Sequence, residues 1–112
     1  MRVLVTGGRN FGDIGLVENA LSELHATKTI SVLIHGAAKG ADALVCEWAK
    51  QNSINVLSCP ADWKRFGRGA GTRRNRDMLT HKPDLVIAFP GGRGTGHMTE
   101  LAEKQGHIVI RV

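Results

Sequence analysis

Val3-Leu4-Val5-Thr6-Gly7-Gly8-Arg9-Asn10-Phe11-Gly12 follows directly on Met1-Arg2 and decides how the rest of the chain is read. A short, β-branched apolar run passes straight into a glycine-rich stretch. Beyond it Val17, Ala20, Leu21 and Leu24 recur at the three-and-four spacing of one helix face. Strand, glycine loop and helix in that order make the first half of a βαβ unit. The order repeats: Val32-Leu33-Ile34 leads into Gly36-Ala37-Ala38-Lys39-Gly40 and then the stripe Leu44, Val45, Trp48, Ala49. Leu85-Val86-Ile87-Ala88-Phe89 likewise leads into the loop Pro90-Gly91-Gly92-Arg93-Gly94-Thr95-Gly96, with a helix after it. Val56-Leu57 and Ile108-Val109-Ile110 supply two more strands. Right-handed crossovers between such strands give an α/β fold, a Rossmann-like three-layer sandwich. The expectation is a five-stranded parallel sheet of order 3-2-1-4-5 in one domain spanning residues 1–112. Residues 64–82 are the exception, since Gly67, Gly69, Gly71 and the cations among them predict only a weak helix from Thr72 to about Thr80.

Composition narrows the function classes. With 42% hydrophobic and 22% charged residues the chain reads as a packed fold and not as a disordered one. No apolar stretch nears the roughly 20 residues of a membrane span, and Met1-Arg2 enters the first strand with no signal-peptide plan, so the expected location is the cytoplasm. Cys46 and Cys59 stand in neither a Cys-x-x-Cys pair nor a zinc spacing, so no metal is expected, and no cofactor either. The net charge of +5 suits an anionic partner, and six of the 15 Lys and Arg residues fall between Lys64 and Arg76.

In open α/β sheets ligands lie beyond the carboxyl ends of the strands, where strand order reverses. The three glycine loops stand at such ends. Glycine there lets backbone N–H groups approach an anion, and a following helix N-terminus adds partial positive charge. The expected ligand-binding residues are therefore Gly7, Gly8, Arg9 and Asn10 in the first loop, and Gly36, Gly40 and Asp42 at the second. Pro90, Gly91, Gly92, Arg93, Gly94 and Thr95 are expected in the third. The competing reading makes each loop a tight turn and nothing more. Ordinary dinucleotide binding fits poorly, because the first loop reads G-G-x-x-x-G and His35 stands where a ribose-binding acid belongs. Gly91 to Gly96 has P-loop spacing but is followed by His97-Met98, without the required Lys and Ser/Thr.

Taken in order, five segments closely resemble the SLOG superfamily, named for the Smf/DprA and LOG proteins, and within it the YspA-like, cpYpsA-related branch. They are Val5-Thr6-Gly7-Gly8-Arg9, His35-Gly36-Ala37-Ala38-Lys39-Gly40-Ala41-Asp42 and Pro60-Ala61-Asp62-Trp63, then Ala70-Gly71-Thr72-Arg73-Arg74-Asn75-Arg76-Asp77-Met78 and Phe89-Pro90-Gly91-Gly92-Arg93-Gly94-Thr95. The resemblance implies a Rossmann-like sheet with a site for a nucleotide or nucleotide-derived molecule, ADP-ribose-like or nucleoside monophosphate-like. It also implies that Arg74 and Asn75 serve as the branch's Arg-Asn pair in that site. LOG phosphoribohydrolases cleave the N-glycosidic bond of nucleoside monophosphates with an arginine and the glutamate of P-G-G-x-G-T-x-x-E. Here Met98 stands three residues after Thr95, and the nearest glutamate, Glu100, is five after it.

Among single residues, Arg74 can grip phosphate bidentately or merely pair on a solvated face. Asp42 can cap the second helix or bind a ribose hydroxyl. His35 and His97 adjoin glycine loops but have neither a nucleophile nor an orienting acid beside them in sequence, which favours structural hydrogen bonding. Trp48 reads as core, while Trp63 can stack on a base or roof the sheet. The leading function is binding of a phosphorylated nucleotide derivative as sensor, carrier or sequestering domain. The alternatives are a nucleotide N-glycosidase, with Arg74, His97 and Glu100 as catalytic candidates, and DprA-like binding of single-stranded nucleic acid along residues 64–76. The last is weakened by an aromatic content of 4% with no Tyr. No membrane partner is expected, and the often dimeric LOG relatives leave a homo-oligomer open.

Overall fold

The computed structural model describes residues 1–112. Strand β1 (Arg2–Thr6) is followed by helix α1 (Ile14–Thr27), β2 (Val32–His35), α2 (Ala41–Gln51) and β3 (Asn55–Ser58). A one-turn helix α3 (Trp63–Phe66) and a 3₁₀ turn at Gly67–Gly69 then lead into α4 (Ala70–Leu79), β4 (Leu85–Ala88), α5 (Arg93–Lys104) and β5 (Val109–Arg111). All neighbouring strands are parallel, and their order is β3-β2-β1-β4-β5, as the alternating pattern predicts. β1 is the pivot: Val3 registers with Leu33 of β2 on one side and Leu85 of β4 on the other. Strand order reverses there, so the loops after β1 and β4 flank a crevice at the carboxyl edge.

The apolar strands are explained by burial on both faces. Val3 and Val5 join Val17 and Leu21 of α1 and Val45 and Trp48 of α2 on one side. Leu4, between them, turns the other way to meet Met78 of α4 and Met98 and Ala102 of α5. This is the two-residue period of a strand under helices on both sides. Trp48 is core, 3% exposed, with its indole N–H donating to Ser22 Oγ at 3.0 Å. No helix is long and apolar enough to cross a membrane.

Local boundaries differ from expectation where long-range packing outweighs local signal. α4 starts at Ala70, before Thr72, because Ala70 is 1% exposed and docks the helix start. The extra turn of α3 is nucleated by Asp62, whose Oδ1 accepts from Arg65 N–H at 3.1 Å, and is ended by Gly67 at φ +55. α5 starts at Arg93, so Gly94, Thr95 and Gly96 lie in its first turn and not in the loop. Each helical glycine costs up to about 1 kcal/mol, and burial of Met98 and Ala102 offsets it. β5 begins at Val109, leaving Ile108 at 66% exposure, and β3 extends one residue to each side of Val56-Leu57. Phe89 lies just past β4, its N–H donating to Thr6 O at 2.9 Å.

The loops lock together through backbone. Gly8 N–H donates to Pro90 O at 2.9 Å, and Gly8 O accepts from Ala41 N–H at 3.1 Å. Gly40 sits at φ +73, and a Cβ there would collide with the Gly8 and Arg9 carbonyl groups. Gly40→Ala is expected to lower unfolding free energy by about 2 kcal/mol or more, from left-handed strain plus overlap. Chemical denaturation checks this, and a change under about 0.5 kcal/mol, the scale of an inert surface substitution, would refute it.

Candidate functional site

A cavity of about 620 Å³ opens at the carboxyl edge of the sheet, within the usual range for small-molecule sites. Gly7, Gly8, Arg9 and Asn10 form one wall, and Gly36 and Asp42 form the floor beside them. Arg74 and Asn75 enter from α4, while Gly92, Arg93, Gly94 and Thr95 close the far side together with His97. Gly40, Pro90 and Gly91 do not line it. Gly40 and Gly91 permit the close approach of loops, since a Cβ on Gly91 would stand 2.7 Å from Gly8 N. Pro90 and Gly91 border a separate hollow of about 240 Å³ near Arg111. Glu100 lies on the surface, its carboxylate 3.7 Å from Lys104 Nζ.

The glycine loops differ in what they offer a ligand. In the second, Ala37 N–H donates to His35 Nδ1 at 2.9 Å and Ala38 N–H to Asp42 Oδ2 at 3.0 Å, so the two donors at its centre are engaged. At α5, by contrast, no side chain caps the helix, and the N–H groups of Arg93, Gly94 and Thr95 have no acceptor in the protein. All three residues line the cavity. Orphan donors at a helix N-terminus attract anions.

Behind the second loop lies a buried polar cluster. His35 is 4% exposed; because its Nδ1 accepts from Ala37, its Nε2–H donates to Ser58 Oγ at 3.2 Å. Burial lowers the His35 pKa, the Asp42 charge opposes this, and Arg74 adds to it. Asp42 does not cap α2, because Gly40 occupies that position and Asp42 reaches back to Ala38. Burial raises the Asp42 pKa, against the Ala38 N–H bond and the neighbouring His35 and Arg74. Arg74 donates through Nη1 to Gly36 O at 2.5 Å and through Nε to Asn75 Oδ1 at 3.1 Å. Of the five guanidinium N–H groups this leaves three for a ligand. No group of three His, Cys, Asp or Glu side chains is placed to hold a metal ion.

At the rim Trp63 is 49% exposed, with the Arg9 guanidinium 5.7 Å from its ring centre. Trp63, with its two readings of base stacking and sheet roofing, lines the cavity, and so do Arg68, Gly71 and Thr72, which are absent from the residues expected there. One signal was available for the α4 part: Gly71, Arg74, Asn75 and Met78 fall at three-and-four spacing on one helix face, and all line the cavity.

Residues 1–66 match the family described as YAcAr: YspA, cpYpsA-related SLOG family. The chain belongs to that family. The matched part of this SLOG chain carries β1 to β3, the first two loops and Trp63, while Arg74, Asn75 and the α5 N-terminus lie beyond it. The chain is also similar to the Gene 61 protein of Mycobacterium phage D29, at 41% identity over 117 residues, covering 97% of this chain and 94% of that relative. No solved structure matches it.

The cluster sets a pH dependence. A lowered folded pKa means that unfolded His35 binds protons more readily, so its stabilising contribution is complete above the ordinary value of 6.5 and is lost as pH falls below it. Asp42, with a raised folded pKa, contributes with the opposite sign: its contribution is complete below the ordinary carboxylate value and is lost as pH rises through the folded pKa. The melting temperature is expected to fall from pH 7.5 to 5.5, and to fall less in His35→Asn, whose Oδ1 can still accept from Ala37. Equal slopes in the two proteins would rule out His35 as the source.

Proposed function

We propose that this cavity binds a phosphorylated nucleotide or nucleotide derivative, nucleoside monophosphate-like or ADP-ribose-like, as a sensor, carrier or sequestering domain. The observation that carries the reading is the row of unpartnered N–H groups on Arg93, Gly94 and Thr95 at the cavity wall. Two features support it. Four guanidinium groups line the cavity, those of Arg9, Arg68, Arg74 and Arg93, against one carboxylate, Asp42, which is already engaged by Ala38 N–H. Trp63 adds an exposed aromatic face at the rim, suited to a base. Membership of the SLOG family agrees with nucleotide-related binding in general terms.

Binding is favoured over LOG-like N-glycosidic hydrolysis by the want of a glutamate at the cavity wall. A general acid or base must come within about 3 Å of the atom it serves, directly or through one water. Glu100 is exposed and beside Lys104, outside the cavity wall. Met98, at the position of the LOG glutamate, is fully buried in the core.

Two outcomes test the reading. A Cβ at Gly92 would meet nothing within 4 Å, so Gly92→Asp should fold normally while placing a carboxylate among the free N–H groups. Calorimetry with ADP-ribose and with adenosine 5′-monophosphate should find affinity reduced at least about tenfold, or 1.4 kcal/mol; unchanged affinity in a folded variant would remove the phosphate from this wall. The wild-type protein should release no free base from nucleoside monophosphates above a no-enzyme control by chromatography. Base release abolished by Glu100→Gln or Asp42→Asn would make the chain a hydrolase.

A further inference from the structure

Asn75 lies 5% exposed between the cation of α4 and the first turn of α5, and its bonds fix a direction. Arg74 Nε can only donate, so the atom it meets at 3.1 Å must be the amide oxygen. Gly94 O can only accept, so the atom 3.2 Å from it must be the amide nitrogen. The two constraints agree and leave one orientation of the side chain. The same NH₂ stands 3.0 Å from His97 Nδ1, which must therefore present its lone pair. A neutral imidazole with a bare Nδ1 carries its hydrogen on Nε2. That Nε2 makes no bond within the protein, and no buried side-chain nitrogen or oxygen lacks a partner, so Nε2–H is open to solvent from a residue lining the cavity.

We infer that Asn75 is a positioning residue that holds His97 as the Nε2–H tautomer, so that His97 donates a hydrogen bond to an acceptor oxygen of the bound molecule. The inference rests on the cavity being a site for a phosphorylated ligand and assigns His97 a binding role within it. His97 is not a base in this arrangement: Nε2 already carries a hydrogen, and the Nδ1 lone pair is engaged. The cavity thus meets the ligand with donors in succession, the free N–H groups of α5, the remaining Arg74 N–H groups and His97 Nε2–H. A phosphoryl oxygen, which accepts only, matches such a set, and a hydroxyl group there would have to turn its hydrogen away.

Two measurements on the whole chain test this. Long-range ¹⁵N–¹H spectra of the imidazoles, recorded without ligand, should assign His97 to the Nε2–H tautomer. In Asn75→Asp, which replaces the donor amide by an acceptor of the same shape, that assignment should be lost. A His97 bearing hydrogen on Nδ1 in the wild type would overturn the positioning role. In calorimetry with ADP-ribose, His97→Gln, whose amide can return an N–H to the same place, should bind within about threefold of wild type. His97→Phe should bind roughly tenfold more weakly, the scale of one hydrogen bond. His97→Phe binding as tightly as wild type, while Gly92→Asp weakens, would overturn the binding role and leave the phosphate site standing. If the wild type binds neither ADP-ribose nor adenosine 5′-monophosphate, the nucleotide reading falls and the binding role of His97 with it. The tautomer spectrum still decides the part played by Asn75.

Discussion

The peptide of Gly8 holds the carboxyl edge of this molecule together. Its N–H reaches the loop after β4 and its carbonyl reaches the start of α2, so one residue ties together three chain segments that the sheet alone would leave side by side. The contact works only at backbone distance. A Cβ on Gly8 would stand 2.9 Å from Pro90 O, and one on Gly40 or Gly91 would collide from the opposite sides. The two walls of the cavity are held apart by a fixed amount because their backbones meet behind it.

Ionisable groups in the second layer serve that geometry too. His35, Asp42 and Arg74 lie close enough to perturb one another, yet each makes its short bonds to backbone: His35 to Ala37, Asp42 to Ala38 and Arg74 to Gly36. Ala37 is thereby held at φ +55, a conformation an alanine rarely adopts. Perturbed ionisation beside a cavity often marks catalysis. Here burial is the main cause, the hydrogen bonds of His35 and Asp42 serve as loop scaffolding, and free donors remain on Arg74, on His97 and on the first turn of α5.

The fold was legible because its signal is local and repeated: a β-branched run, glycines and a helix stripe recur in register, and parallel sheets bury such strands on both faces. The wall residues of the first loop and Gly92 and Gly94 after β4 were legible for the same reason, since strand ends place them at the crevice, whereas Arg74 and Asn75, which lie on α4, were indicated by the family resemblance alone. What was not legible depends on distance along the chain. Asn75 meets Gly94 and His97, 19 and 22 residues away, and Arg74 meets Gly36 across 38. Nor can composition tell a glycine that clears space for a ligand from one that clears space for backbone, which is why Gly40 and Gly91 were expected in the cavity. The start of α5 at Arg93 was hidden by its own glycines, whose weak helical propensity is overridden by Met98 and Ala102 beneath them.

The empty volume over Gly92, Gly94 and Gly96 bears on how such a chain can diversify. Side chains added at these three positions would project where nothing stands within 4 Å, whereas at Gly7, Gly8, Gly40 and Gly91 they would strike neighbouring backbone or Cβ atoms. Inheritance is therefore partitioned. One set of glycines is held by architecture, while the other can drift without refolding. Substitutions along one exposed helical turn can therefore alter the face presented at this edge of the sheet, so two descendants sharing every interlocking glycine could still differ in the surface they offer there.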